Sequence, residues 1–131
     1  MSATAAAASL EVPALDLFSL EGKNALVTGG SRGIGAAMAM ALADAGADVC
    51  IAQQNRANST TAENIRAKGR KVEIIECDLS KMADVETLFP KALDALGGRV
   101  DILVNCGGLL QRKASIGVTE ADWDYVIAPL V

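Results

Sequence analysis

Residues 28–35, Thr28-Gly29-Gly30-Ser31-Arg32-Gly33-Ile34-Gly35, combine types and spacing that suit phosphate chemistry. An apolar run (24–28) precedes the segment and a helical pattern (33–45) follows it, so it joins a strand to a helix. A helix start carries unpaired N–H groups and the positive end of the helix dipole, and both favour an anion. Gly29 suits a tight turn off the strand, Gly33 lets a pyrophosphate approach the backbone, and Gly35 lets the helix lie close to the sheet. Ser31 adds a hydroxyl donor and Arg32 a positive charge. The spacing is G-x-x-x-G-x-G, one residue longer at the start than G-x-G-x-x-G. No G-K-[ST] closes the loop, which excludes a P-loop. A glycine-rich turn also occurs for structural reasons alone. With a strand before it and a helix after it, dinucleotide binding is the expectation.

The elements that must position this loop follow in series. Strands are predicted over 24–28, 48–52, 71–77 and 100–105, each a short apolar run. Helices are predicted between them. The first covers 33–45, with Ile34, Met38 and Leu42 spaced by four among alanines, and Gly46 closes it. The second is a polar helix over about 59–68. The third has Val85, Leu88, Phe89, Ala92, Leu93 and Leu96 tracing one face, with Pro90 expected to kink it. A last helix begins at Thr119, where Thr119 and Asp122 have capping-box spacing and Trp123, Val126 and Ile127 form the expected buried side. Alternating strands and helices imply a parallel sheet in an α/β domain. The fourth strand, apolar on both faces, makes a poor sheet edge.

Composition narrows the chemistry. A chain of 131 residues, 51% apolar, suits one globular domain. With no histidine, a Ser-His-Asp hydrolase, a Cys-His protease and a His-ligated metal site are excluded. Cys50, Cys77 and Cys106 lie far apart without metal-ligand spacing, and read as buried free thiols in a reducing compartment. No metal site is expected. The net charge of −4, with no basic cluster beyond Lys68, Arg70 and Lys71, argues against nucleic acid. Residues 1–21 show no secretory or mitochondrial targeting pattern and read as a flexible arm before a domain over 22–131. No run is long enough to span a bilayer. A cytoplasmic protein is the expectation.

Further motifs at the strand ends give a family resemblance. The T-G-G-S-R-G-I-G loop resembles the cofactor loop of the short-chain dehydrogenases/reductases. Asp78-Leu79, after the third strand, looks like that family's D-L or D-V pair, whose carboxylate meets the adenine amino group. Asn105-Cys106-Gly107-Gly108 is similar to its N-N-A-G segment, with Cys106 and Gly107 in place of the middle Asn and the Ala. Trp123-Asp124 resembles its W-D pair. The resemblance covers about residues 20–127 and implies a Rossmann-type doubly wound parallel sheet. It implies a cofactor site formed by Gly29, Ser31, Arg32, Gly33, Ile34, Gly35, Gln53, Arg56, Asp78, Leu79, Asn105 and Gly107. Plainer readings stand beside these: Asp78 as an exposed loop acid, Asn105 as a strand-end turn residue, and Trp123 as a packing anchor.

Cofactor choice turns on the end of the second strand, where an NAD site places an acid on the ribose 2′-OH. Gln53, Gln54, Asn55 and Arg56 stand there instead, so NADP is expected, with NAD still open. Arg32 and Arg56 would attract a 2′-phosphate, although Arg56 also reads as a solvated residue before the helix. The family uses Ser, Tyr and Lys for hydride transfer, the last two in Y-x-x-x-K, where Lys lowers the Tyr pKa. The single tyrosine, Tyr125, has Pro129 at that spacing, so no catalytic residue is assigned. From Ala128 onward A-P-L-V departs from the family, with Leu130 where an Asn is usual. The chain thus reads as the first half of a family member, truncated after the fourth strand. A non-catalytic dinucleotide-binding or interaction module is the alternative, and a homo-oligomer is left open under either reading. Residues 17–23 and 107–114 resemble the sugar-acid branch, the 2-deoxy-D-gluconate 3-dehydrogenase and gluconate 5-dehydrogenase group. Arg112 holds that branch's Arg position, and it suits a carboxylate substrate as well as it suits a solvated loop.

Overall fold

The computed structural model describes residues 12–130. Its strands are β1 (Asn24–Thr28), β2 (Asp48–Gln53), β3 (Val72–Glu76) and β4 (Ile102–Asn105). Its helices are α1 (Gly33–Asp44), α2 (Thr60–Ala67), α3 (Met82–Ala95) and α4 (Glu120–Ile127). The strands form one parallel sheet in the order β3-β2-β1-β4. Leu26 of β1 sits in register with Cys50 of β2 on one side and Leu103 of β4 on the other.

Helices cover both sheet faces. One core joins Val27, Val49, Ile51 and Ile74 to Ala39 and Ala43 of α1 and to Ala62 and Ile65 of α2. The opposite core joins Leu26, Cys50, Ala52 and Ile75 to Leu88 and Ala92 of α3, with Leu96 just beyond it. This is the doubly wound α/β arrangement of a Rossmann-type fold. The chain moves from β1 to β2 to β3, then returns to the other flank of β1 as β4. The strand order therefore reverses beside β1, and a crevice opens beyond the carboxyl ends of β1 and β4.

Several packing expectations are corrected. On α1 the buried residues are Gly35, Ala36, Ala39 and Ala43, whereas Ile34 and Met38 are exposed. Small residues let this helix lie against the strands, so Ile34 and Met38 turn outward while Leu42 and Met40, half-buried, pack at the edge of the core. On α3, Leu88, Ala92 and Leu96 are buried, but Val85 and Phe89 are exposed. The helix runs on through Pro90. Strand β4 alternates half-buried and exposed, with Leu103 at 55% exposure. Helix α4 keeps its capping box between Thr119 and Asp122 but buries no residue, and Trp123 is 62% exposed rather than an anchor.

The thiols divide in the same way. Cys50 and Cys77 are buried, whereas Cys106 is half-buried. Burial, followed by the charge of Glu73, pushes the Cys50 thiol up to about 12. Residues 1–11 of the expected N-terminal arm lie outside the described residues. Residues 12–21 carry a 3-10 turn (Asp16–Phe18) and meet the domain through the Leu20 N–H, which donates to the Ala45 carbonyl at 2.7 Å. Among the described residues no helix is long and apolar enough to cross a membrane.

Candidate functional site

A cleft of about 590 Å³ lies at the carboxyl ends of the strands, within the usual size range of small-molecule sites. The loop 29–35 forms one wall. Gly29 turns off β1 with φ +69°, and its N–H donates to the Ala52 carbonyl at 2.8 Å. A Cβ on Gly29 would lie 2.7 Å from the Gly107 Cα, so the turns after β1 and β4 touch backbone to backbone. A Cβ on Gly35 would lie 2.2 Å from the Gly29 carbonyl oxygen. The close approach of Gly35 is therefore to the loop itself rather than to the sheet.

Gly33 differs from both. Its φ of +57° disfavours a side chain, and the space where a Cβ would stand is empty to 4 Å. It opens helix α1, whose N-cap Arg32 has extended backbone and supplies no side-chain cap. The first N–H groups of α1 are thus left beside open space in a cleft lined by Ser31, Arg32 and Ile34. An anion there gains about 0.3–1 kcal/mol from the helix end, more when partly buried. The observed geometry fits a phosphate.

The other walls come from the loops after β2, β3 and β4. Asp78 and Leu79 line the cleft. The Asp78 carboxylate accepts from the Ser80 hydroxyl at 2.7 Å and the Ser80 N–H at 3.0 Å. Those bonds, with the Gln54 side chain, hold its pKa down at about 2. The carboxylate is ionised at neutral pH and serves as an acceptor. Gly107 lines the cleft under Leu79, whose Cδ1 would be 2.4 Å from a Gly107 Cβ.

Gln53 lines the cleft but is only 5% exposed. Its side-chain amide donates to the carbonyls of Asn55 and Asn58, each at 2.7 Å. Arg56 and Asn105 are exposed and stand outside the lining, although Asn105 pairs in register with Thr28 at the start of the loop. Arg112 is exposed as well and lines no described hollow.

Two bracing residues were given no role in the sequence reading. The Thr28 hydroxyl accepts from the N–H groups of Cys106 at 3.1 Å and Gly107 at 3.0 Å. The Thr61 hydroxyl, 5% exposed at the start of α2, donates to the Ser31 carbonyl at 3.2 Å. With Gln53, these are the three buried polar side chains among the described residues, and each fastens a loop of the cleft. A strand-end threonine beside glycines is a weak signal for such a role. Thr61 had none, because its partner lies thirty positions away.

Comparison with known proteins meets this geometry. The family model described as short chain dehydrogenase matches residues 23–129. The chain belongs to the short-chain dehydrogenase family. It is 40% identical over 113 residues to 2-dehydro-3-deoxy-D-gluconate 5-dehydrogenase from Escherichia coli (strain K12), covering 86% of this chain and 44% of that protein. A short-chain type dehydrogenase/reductase from Mycobacterium marinum superposes with a TM-score of 0.83 at 34% identity, over 89% of this chain and 47% of that one. A short chain dehydrogenase from Burkholderia cenocepacia J2315, solved in complex with NADP, gives 0.79 at 38%, over 86% and 46%. This short-chain dehydrogenase chain therefore spans less than half the length of these relatives.

Proposed function

We propose that the chain supplies the cofactor-binding half of an NADP-dependent oxidoreductase. Its reaction is hydride transfer to or from a hydroxy or keto group of a sugar acid or similar compound. The observation that carries this reading is the uncapped start of α1 facing a cleft at the strand-order reversal, with Gly33 leaving room for a phosphate. A bound nicotinamide dinucleotide supplies the hydride chemistry. The chain's own residues bind and orient it. The N–H groups of α1, the Ser31 hydroxyl and the Arg32 guanidinium take the phosphates, and the Asp78 carboxylate accepts from the adenine amino group.

NADP is favoured by Arg32 in the lining, by the lack of a carboxylate after β2, and by a relative solved with NADP. The position of Arg56 outside the lining leaves Arg32 as the cation for a 2′-phosphate. A sugar-acid substrate is supported by the name of the Escherichia coli relative. Residues 1–131 contain no Y-x-x-x-K, since Tyr125 is followed four positions on by Pro129. Residues 1–131 by themselves are accordingly expected to bind a dinucleotide, and a non-catalytic binding module is the second reading.

The test is a thermal-shift titration with NADPH. The unaltered chain should gain melting temperature with ligand concentration, as a binder of the folded state does. Gly33→Asp places a carboxylate at the phosphate position and a side chain at positive φ, so its protection should vanish. Undiminished protection in Gly33→Asp would sink the assignment of the loop.

A further inference from the structure

Gln53 stands where a residue that reads the cofactor's ribose is expected, yet its contacts point elsewhere. Both hydrogens of its amide are used inside the protein, on the carbonyls of Asn55 and Asn58. Turning the amide over would set its oxygen against those two carbonyl oxygens, so its orientation is fixed by its partners. The Oε1 atom is buried with no hydrogen-bond partner among the described residues. A side chain 5% exposed, with its donors spent, offers a ligand no hydrogen-bond donor.

What it holds is a turn. The Asn58 N–H donates to the Asn55 carbonyl at 3.1 Å, and the Ala57 N–H donates to the Asn55 Oδ1 at 2.9 Å. Gln53 closes that turn from beneath by binding the carbonyls at both of its ends. Gln54 and Asn55 are exposed on the same segment and line the cleft. Gln54 also lies beside Asp78 of the neighbouring wall.

We propose that Gln53 is a positioning residue that clamps the turn 55–58 from below, leaving Gln54 and Asn55 to meet the ribose 2′ substituent of the dinucleotide. The nucleotide part of this inference rests on the proposed function. The clamp itself does not. Loss of the clamp should weaken NADPH and NADH alike, whereas a change at Gln54 should alter their ratio.

The experiment uses the full chain, with NADPH and NADH dissociation constants from nicotinamide fluorescence. Hydrogen exchange of the Ala57 and Asn58 amides is followed without ligand. Gln53→Met keeps length and burial but has no donor, and Gln53→Glu sets a carboxylate against two carbonyls. Both should weaken both ligands by about tenfold, the worth of one buried hydrogen bond, with the ratio unchanged. Exchange at the two amides should rise by about tenfold or more. Between roughly pH 8 and 5 the neutral acid of Gln53→Glu returns, because burial and the facing carbonyl oxygens favour protonation. Its O–H then donates to one carbonyl, so Gln53→Glu should recover affinity as pH falls and Gln53→Met should not. Gln54→Asp should lower NADPH affinity about tenfold relative to NADH by repelling a 2′-phosphate.

A Gln53→Glu variant that favours NADH over NADPH by tenfold would overturn the proposal, because Gln53 would then be reading the ribose directly. An unchanged ratio in Gln54→Asp would overturn the role given to Gln54. If the unaltered chain binds neither ligand, the proposed function fails. The exchange data then decide the clamp alone, and unchanged exchange in both variants refutes it. Circular dichroism of each variant separates a local opening from a failure to fold.

Discussion

Leu26 and Leu103 are register partners on adjacent strands, yet one is 2% exposed and the other 55%. Their strands have similar composition: β1 reads N-A-L-V-T and β4 reads I-L-V-N. The difference lies in what is stacked on them. Leu26 is packed under α3, in a core that also holds Cys50, Ile75 and Leu88. Over β4 only Val104, half-buried, reaches the opposite core. Polar groups divide in the same way. Thr28, Gln53 and Thr61 are buried and fasten the cleft. By contrast, the Asp122 cluster that secures α4 is an exposed set of bonds from Gln111, Lys113 and Thr119. Such surface ion pairs contribute little. Apolarity in a strand therefore signals that it can be buried, and only its neighbours decide whether it is.

The sharpest way to break this contrast is to truncate the two leucines in parallel. Leu26→Ala should cost about 2–5 kcal/mol by denaturant unfolding, as core truncations do. Leu103→Ala should cost about 0.5 kcal/mol, as at a surface position. Equal losses would mean that β4 is covered in solution. A smaller effect probes the cleft side. Thr28→Val keeps the shape but removes the acceptor for two N–H groups, and should cost about 1–3 kcal/mol. It should also weaken NADPH binding by loosening the contact between Gly29 and Gly107; a neutral outcome would demote Thr28 to filler.

The smallest expected effect is a pH dependence. The Asp78 pKa is depressed to about 2, so its contribution is complete above the ordinary carboxylate pKa and is lost as pH falls from about 4 toward 2. Acid unfolding of Asp78→Asn should lack that part of the slope, and an identical slope would show that the Ser80 bonds do not act on stability.

The strands and the glycine loop were legible in the sequence because both are local signals: apolar runs that end in glycine, and a helix that begins at once. The inner face of α1 was not. The spacing of four marks Ile34, Met38 and Leu42, but the fully buried positions are Gly35, Ala36, Ala39 and Ala43, and of the three only Leu42 packs against the core. Along β2 every residue after Asp48 is buried, so no alternation marks which way Gln53 turns. The apolar patterns of β4 and α4 were read as burial because pattern records propensity, whereas exposure depends on neighbours far along the chain. The brace from Thr61 to Ser31 was hidden for the same reason.

The contact between Gly29 and Gly107 bears on how this cleft tolerates change. At that point no side chain separates the two turns, so their closest approach is between main-chain atoms, with the Thr28 hydroxyl holding the second turn in place. Rotamer hops nearby cannot widen or narrow it. Residues around the mouth are free to drift in identity while the aperture between β1 and β4 keeps one calibre. Its width is set by two glycine turns and by the buried Thr28 hydroxyl that holds the Gly107 N–H, rather than by the side chains around the mouth.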